Sequence, residues 1–232
     1  MNAKRGYVPE DEKNFSKESK EILKTASRHI CYLINEGYDI KQASTFVGNH
    51  FLLSERQRLA IVRSVSDSNA KKKRSDKQIE ADDLQNKTVW IDGFNTIITL
   101  EVMLNRSILF ECMDGAIRDL ASLRGTYRII PETERAIKMM LGVLKNAGVS
   151  KANILLDEPV SNSGRLKVLI ADIGENYPLD MNIQIMKDVD RQLYGKENVV
   201  SSDSVILDNC SSWFNLVGEC VQENRVEVLK VW

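Results

Sequence analysis

Apolar residues recur at helical spacing through the first third of the chain. Residues 18–35 show this period, and Gly37 provides a C-terminal stop. A second short helix is predicted from residue 40 to a stop at Gly48-Asn49. The capping box Ser54–Gln57 opens a third helix. Two short helices after a longer one, separated by a glycine-containing turn, predict a small helix-turn-helix-like domain over residues 1–66.

From residue 87 onward the pattern changes to strands that alternate with helices. The predicted strands are 88–91, 153–156, 183–186, 198–201 and 225–231, and the predicted helices are 95–104, 131–147, 162–175 and 204–222. This alternation predicts an α/β domain over residues 87–232, with a mostly parallel sheet in a three-layer α/β/α arrangement. Residues 105–130 do not fit the rhythm and are predicted to form an irregular or hairpin insertion.

Charge divides the chain in the same way as the hydrophobic pattern. Residues 1–77 hold 16 Lys and Arg against 10 Asp and Glu, and the remaining residues hold 16 against 23. A basic front and an acidic back suit a nucleic-acid-contacting module joined to a domain that concentrates carboxylates. Solvated helices and a solvated basic linker over residues 67–86 would give the same imbalance, so both interpretations stay open.

Two groups of cations are the nucleic-acid-binding candidates. The third helix carries Arg56, Arg58 and Arg63, which could reach phosphates or bases in a groove. The linker carries the run Lys71, Lys72, Lys73 and Arg74, which could bind a phosphate backbone without sequence preference. Plain helical packing and solvation are the competing explanations.

The cysteines and the hydropathy point to a cytoplasmic protein. Cys31, Cys112, Cys210 and Cys220 are scattered without a metal-ligand spacing, which favours free thiols over a zinc site or a disulfide scaffold. The sequence contains no run of about eighteen apolar residues, which is the pattern that predicts a membrane span. We therefore expect no membrane partner, and a homodimer stays open.

Three predicted strands are followed by an aspartate. Asp92 follows the first strand, Asp157 the second and Asp203 a late one. In a parallel sheet these strand ends share one edge, so the carboxylates could converge there and bind Mg²⁺ or Mn²⁺ through oxygen ligands. Asn95 and Glu101 lie on the helix after Asp92 and are further catalytic candidates. Aspartates also favour turns and helix N-caps, which is the simpler explanation for any one of them.

The segment after Asp157 is a candidate substrate-binding loop. Small hydroxyl and amide side chains with a glycine at a helix start could cradle a phosphate, and two cations follow them. The residues concerned are Ser161, Asn162, Ser163, Arg165 and Lys167. An ordinary capped helix start explains the pattern equally well.

Several motifs resemble a known family. They are Arg5–Pro9, Val47–His50, Ser54–Leu59, Ile91–Asn95, Asp114-Gly115 with Arg118–Leu120, and Ser161–Lys167. Together they resemble domain of unknown function 434, a prokaryotic family. This resemblance by itself implies no particular activity.

The C-terminal part also resembles the PIN-like and NYN ribonuclease superfamily, at Asp92, Asn95 and Ser201–Asp203. That resemblance implies that Asp92 and Asp203 are metal ligands and that Asn95 orients Asp92 or the metal's water. Glu101, Asp119 and Asp157 compete for the intermediate acidic position.

The leading hypothesis is therefore a Mg²⁺- or Mn²⁺-dependent nuclease, acting on RNA rather than DNA. Arg165 or Lys167 would stabilise the charge that develops on the phosphoryl oxygens. The main alternative is a non-catalytic nucleic-acid-binding regulator with a degenerate PIN-like domain. A third hypothesis is a nucleotide-binding enzyme that uses the 161–167 loop.

Overall fold

The structure, a computed structural model, describes residues 4–121 and 125–232. Its helical module comprises α1 (Asp11–Asn14), α2 (Lys17–Asn35), α3 (Ile40–His50) and α4 (Glu55–Ser64). The predicted capping box of α4 is present, with the Ser54 hydroxyl accepting from the Gln57 backbone N–H. Helix α3 continues past Gly48, contrary to the predicted stop. A Cβ on Gly48 would lie 2.7 Å from the Arg58 Nε, so glycine permits the close approach of α3 and α4.

Side chains from the later part of the chain complete the core of the helical module. Leu23, Ile30 and Ile61 are fully buried in this core. Phe110, Cys112, Leu120 and Val231 belong to the same cluster. The module therefore shares its core with the domain that follows it.

The predicted linker contains regular structure. Helix α5 (Ser68–Ser75) begins at Asp67, whose carboxylate accepts from two backbone N–H groups. Strand β1 (Gln78–Ile79) and a 3₁₀ turn (Ala81–Leu84) follow. The basic run lies on α5, so this part of the predicted linker is helical.

The remaining elements form a sheet with helices on both faces. In chain order they are β2 (Thr88–Asp92), α6 (Gly93–Leu104), β3 (Phe110–Glu111), β4 (Ile117–Arg118), α7 (Pro131–Asn146), β5 (Lys151–Asp157), α8 (Ser163–Gly174), β6 (Asp180–Met186), α9 (Val189–Leu193), β7 (Val199–Val200), α10 (Ser204–Asn209), β8 (Trp213–Phe214) and α11 (Leu216–Glu223). The order is β1-β8-β7-β2-β5-β6, and adjacent strands pair in parallel. The predicted α/β class and mostly parallel sheet are confirmed.

Alternation along the strands assigns side chains to the two faces of the sheet. Val89, Ile91 and Ile154 pack with α6, α7, α8 and α11. Leu155 and Val199 pack with α9 and α10 on the opposite face. Because side chains alternate in a strand, Asp92 and Asp157 share the parity of Trp90 and Leu155, the face that carries α9 and α10.

Two predicted elements are wrong. The helix predicted over 204–222 is divided into α10 and α11, because β8 lies between them and buries Trp213 completely. The strand predicted over 225–231 does not join the sheet; Leu229 forms an isolated parallel bridge with Phe110. Strands β3 and β4 form an antiparallel pair, so the predicted hairpin insertion is confirmed.

Candidate functional site

The strand ends form the candidate site, because β2 lies between β5 and β7. Asp92 ends β2 and Asp157 ends β5, while Asp203 follows β7 and caps α10. In parallel strands these ends face the same edge of the sheet. The topology thus brings the three predicted aspartates to one edge.

Asp92 is the most buried carboxylate at this edge, with 5% of the residue exposed. Its Oδ2 accepts from the Ser201 hydroxyl at 2.9 Å, and its Oδ1 accepts from the Asn95 backbone N–H at 3.4 Å. Burial raises the pKa of Asp92 to about 7, assisted by the charges of Asp203 and Asp157 and opposed by the Ser201 hydrogen bond. This carboxyl therefore titrates near neutral pH.

Asn95 connects the turn after β2 with the turn after β7. Its side-chain Oδ1 accepts from the Ser202 backbone N–H at 3.0 Å and from the Ser202 hydroxyl at 2.8 Å. Gly93 allows this arrangement, because a Cβ there would lie 2.7 Å from the Leu156 side chain and 2.8 Å from the Leu155 carbonyl oxygen. The Asp-Gly-Phe-Asn turn is thus shaped by close packing of α6 on β5.

A fourth carboxylate, Asp190, was missed by the sequence analysis. It lies in the first turn of α9, directly after β6, the neighbour of β5. Burial raises the pKa of Asp190, and the charges of Asp203 and Asp188 raise it further. The pKa of Asp157 is raised by burial and by the charge of Asp190. The position of Asp190 soon after the predicted strand could have indicated a fourth carboxylate at this edge. The helix that carries it, α9, is too short to show a helical period in the sequence.

Within the described residues, the aspartates at this edge form no ion pair with a lysine or an arginine. Elsewhere, buried carboxylates are paired with arginines: Asp11 with Arg56, Glu101 with Arg5, Asp114 with Arg74 and Arg118, and Asp119 with Arg63. Within residues 4–121 and 125–232, Asp92 is the buried carboxylate with no such partner. A buried charge without a counter-ion is costly, and a hard divalent cation is the ligand that oxygen donors of this kind would hold.

The carboxylates do not form a ready-made metal cage. In the described part of the chain, no three His, Cys, Asp or Glu side chains lie close enough together to hold a metal ion. Carboxylates repel one another when no cation lies between them. Binding of a divalent cation at this edge would therefore have to draw the side chains together.

Glu101 lies apart from this edge and is fully buried in the middle of α6. Its Oε2 accepts from the Arg5 Nε at 2.7 Å, and its Oε1 accepts from the Tyr127 hydroxyl at 2.6 Å and from the Thr133 hydroxyl. These bonds fasten the N-terminal segment to α6 and α7. The structure thus gives Glu101 an anchoring role.

Asp119, the other competitor for the intermediate acidic position, also has protein partners. Its Oδ2 accepts from the Thr99 hydroxyl at 2.7 Å, and its Oδ1 accepts from the Ala121 backbone N–H at 2.6 Å. Burial raises the pKa of Asp119, although Thr99 and Arg63 act against that shift. Of the three competitors, Asp157 alone ends a strand at the shared edge.

Two arginines of α4, Arg56 and Arg58, bind other parts of the protein. Arg56 forms a two-pronged ion pair with Asp11 at 2.6 and 2.8 Å, and also donates to the backbone carbonyls of Gly6 and Leu120. Arg58 donates to the Leu53 carbonyl at 2.9 Å. These bonds occupy guanidinium N–H groups that would otherwise be available to donate to a nucleic acid.

Arg63 is one-third exposed, with an Nη1 donor on the Asp119 carbonyl. It lines a cavity of about 330 Å³ between the helical module and the strand-end edge. The cavity wall is formed by Val62, Arg63, Asn95, Ile98, Arg118, Asp119, Ala121, Ser202, Asp203 and Ser204.

The basic run of α5 divides into exposed and buried cations. Lys71 and Lys73 are exposed, and Lys72 pairs with Asp76 at 3.0 Å. Arg74 is buried and donates to Asp114 at 2.8 Å and to Asp208 at 2.8 Å. The lysines remain candidates for phosphate contact, whereas Arg74 joins α5 to α10.

The predicted phosphate cradle is partly occupied by protein. The Ser161 hydroxyl and the Asn162 amide both donate to the Tyr127 carbonyl, at 3.0 and 2.7 Å. Ser163 begins α8, and Arg165 and Lys167 are exposed on its first turns. The two cations lie in the first turns of α8, the helix that follows the Asp157 strand end in the chain.

Fold and site together define an α/β protein whose parallel sheet carries unpaired aspartates at its strand ends, preceded by a helical module. In the described residues, no helix combines the length and the apolar character needed to cross a membrane. All four cysteines are free thiols.

Family comparisons agree with the two-part organisation. Residues 81–219 match the family described as Domain of unknown function (DUF5616), and residues 22–77 match Protein of unknown function (DUF434). An uncharacterised protein of Methanocaldococcus jannaschii is 34% identical over 202 residues, which cover 86% of this chain and 97% of the relative. No solved structure matches the chain. The chain belongs to the DUF5616 family and contains a DUF434 region.

The predicted resemblance to domain of unknown function 434 is therefore confirmed over residues 22–77, and the motif Arg5–Pro9 lies outside both matches. The motifs from Ile91 onward fall within the second match instead.

Proposed function

We propose that this protein is a Mg²⁺- or Mn²⁺-dependent nuclease with a PIN-like α/β domain, acting on RNA. The observation that carries the proposal is Asp92, a buried carboxylate without a cationic partner at a strand-end edge. Its neighbours Asp157, Asp190 and Asp203 add negative charge to the same edge. Metal-dependent phosphodiester hydrolysis uses a set of oxygen ligands of this kind.

Asp92, Asp157 and Asp203 would hold the cation, with Asp190 beside them. A divalent cation supplies polarisation of a phosphoryl oxygen and a lowered pKa of a bound water. Ser201 orients the Asp92 carboxylate through its hydroxyl, and Asn95 holds the adjoining Ser202 turn in place. Supporting groups of this kind fix the direction in which ligand oxygens point.

The chain also carries cations for the substrate. Arg165 and Lys167 are exposed after the Asp157 strand end, where they can stabilise charge on phosphoryl oxygens. Lys71, Lys72 and Lys73 form a second exposed basic group, on α5. Glu101 is left out of the reacting groups, because its carboxylate is held by Arg5, Tyr127 and Thr133.

The test is cleavage of end-labelled RNA and DNA by the purified chain in Mn²⁺, Mg²⁺ or EDTA. Asp92→Asn and Asp203→Asn should abolish cleavage, because each removes a charged ligand. Asp172→Asn, on the exposed side of α8, is the matched control and should cleave normally. Cleavage that survives both strand-end substitutions would be contamination and would refute the proposal. Nucleic-acid binding without cleavage would identify a regulatory protein instead.

A further inference from the structure

The cavity between the helical module and the sheet has the features of a ligand site. Its volume of about 330 Å³ lies within the range of small-ligand pockets. Val62 and Arg63 of α4 form one wall, and Asn95 and Ile98 of α6 form another. Asp203 lines the cavity and also belongs to the strand-end edge. A ligand in the cavity would therefore lie beside the carboxylates.

Arg63 supplies positive charge to this cavity. Its Nη1 donates to the Asp119 carbonyl, and its nearest approach to the Asp119 carboxylate is 3.8 Å. Among the described residues its Nε and Nη2 have no hydrogen-bond partner. A partly exposed guanidinium with unused donors suits a phosphate, which accepts two N–H groups at once.

Asn95 adds a neutral donor. Its Oδ1 is occupied by both Ser202 donors, while its Nδ2 has no partner within the described residues. Val62, Ile98 and Ala121 give the same cavity apolar, partly exposed surface. A site with a cation, an amide donor and an apolar wall matches the three parts of a nucleotide better than it matches a free anion.

We propose that this cavity binds one nucleotide of a single-stranded nucleic acid, with its base against Val62, Ile98 and Ala121 and its phosphate on Arg63. A base in a duplex is paired and stacked, so only an unpaired base can enter such a cavity. The proposal deepens the proposed nuclease function by placing the nucleotide that flanks the reacting phosphate. It requires nucleic-acid binding but not cleavage.

Binding is measured on the full chain in EDTA, which prevents metal-dependent cleavage. The probe is a fluorescein-labelled single-stranded RNA of mixed sequence, followed by anisotropy, with the matching duplex as the second probe. Val62→Trp fills the cavity, and Val168→Trp on the exposed face of α8 is its control. Arg63→Gln removes the cation, and Arg135→Gln, exposed on α7, is its control.

Val62→Trp should weaken single-strand binding about tenfold or more, because the indole would fill the space in which the base lies. Arg63→Gln should weaken it about tenfold and reduce the salt dependence by about one ion. Both controls should remain within about twofold of the parent chain. Equal binding by Val62→Trp and Val168→Trp, tighter binding of the duplex, or no binding by the parent chain would overturn the proposal.

A competition experiment needs no variant and covers the case in which a substitution prevents folding. A ribonucleoside 5′-monophosphate should displace the labelled RNA, whereas ribose 5-phosphate should not, because it lacks the base. Equal displacement by both would refute the base contact. If the parent chain binds as expected but never cleaves, the nuclease proposal fails and the cavity proposal stands. If the parent chain cleaves RNA but both cavity variants bind it as tightly as the parent chain, the cavity proposal fails and the nuclease proposal stands.

Discussion

Asp114 offers a sharp test of how the two parts of the chain are joined. Its side chain is fully buried and accepts from Arg74 at 2.8 Å and from Arg118 at 2.6 and 3.0 Å. Arg118 in turn donates to the Ser202 carbonyl at 2.6 Å and to the Arg63 carbonyl at 2.9 Å. Asp114 therefore neutralises Arg118 and shares the neutralisation of Arg74 with Asp208, and these two arginines hold α4, α5 and the turn before α10.

Replacing Asp114 with alanine should cost about 3–5 kcal/mol of unfolding free energy, because removing one partner leaves buried charge without compensation. For a chain of this size, about 2–4 °C of melting temperature is lost per kcal/mol. The expected fall is thus on the order of 10 °C. The exposed pair of Lys72 and Asp76 provides the control, since such surface pairs contribute about 0–1 kcal/mol.

The assay is urea unfolding of Asp114→Ala and Asp76→Ala, followed by circular dichroism at neutral and acidic pH. Burial alone would raise the pKa of Asp114, but Arg118 and Arg74 more than offset it and hold the pKa below its usual value. The stabilisation is therefore present above the unfolded pKa of about 3.9 and is lost as pH falls through the lowered native pKa. A neutral-pH cost within about 1 kcal/mol of the Asp76→Ala value would refute this reasoning.

Three further predictions concern the strand-end edge. In EDTA at about pH 8, Asp92→Asn should raise the unfolding free energy by up to about 4 kcal/mol, with little gain near pH 4. Ionised Asp92 destabilises the folded chain increasingly as pH rises from the unfolded pKa through the native pKa of about 7. Urea titrations at both pH values measure this, and an equal gain at both would contradict it. Ser201→Ala should weaken Mn²⁺ affinity about 10–100-fold by calorimetry, since the hydroxyl that orients Asp92 is lost; an unchanged affinity would exclude that role. Gly93→Ala should destabilise the chain by about 1–3 kcal/mol through overpacking, whereas Gly142→Ala, where the structure shows open space, should leave stability unchanged or raise it. Thermal unfolding compares the two variants, and equal effects would reject the packing argument.

Long elements with strong periodicity were predictable from the sequence. Helix α7 begins at Pro131 as expected, and α8 begins within one residue of its predicted start. The central strands β2 and β5 were found because each is a short apolar run that ends in an aspartate. In these elements local preference and burial agree.

The short strands β1 and β8 were not predictable, because their pairing depends on distant residues. Strands β1 and β8 have two residues each and are fixed by contacts such as the Trp213 indole donating to the Arg74 carbonyl at 2.7 Å. The apolar pattern near the C-terminus resembles a strand, yet Leu229 pairs with Phe110 outside the sheet. Alternation shows that a segment can pair but not where it pairs.

The candidate site shows the same limit. Asp92 and Asn95 were identifiable because strand, turn and helix are contiguous. Glu101 was correctly placed on the helix after Asp92, but its partners were not predictable, because Arg5 lies 96 residues away in sequence. The Ser201 and Ser202 bonds to Asp92 and Asn95 likewise span more than a hundred residues.

The shared core of the helical module has a consequence for how the chain can be divided. The two family matches meet between residues 77 and 81, which suggests a place to separate them. However, Phe110, Cys112 and Leu120 belong to the core of the first part. A fragment ending at residue 77 would expose the apolar surface that these side chains cover, so we expect it to aggregate. Either region joined to a foreign partner would likewise lack part of its interior.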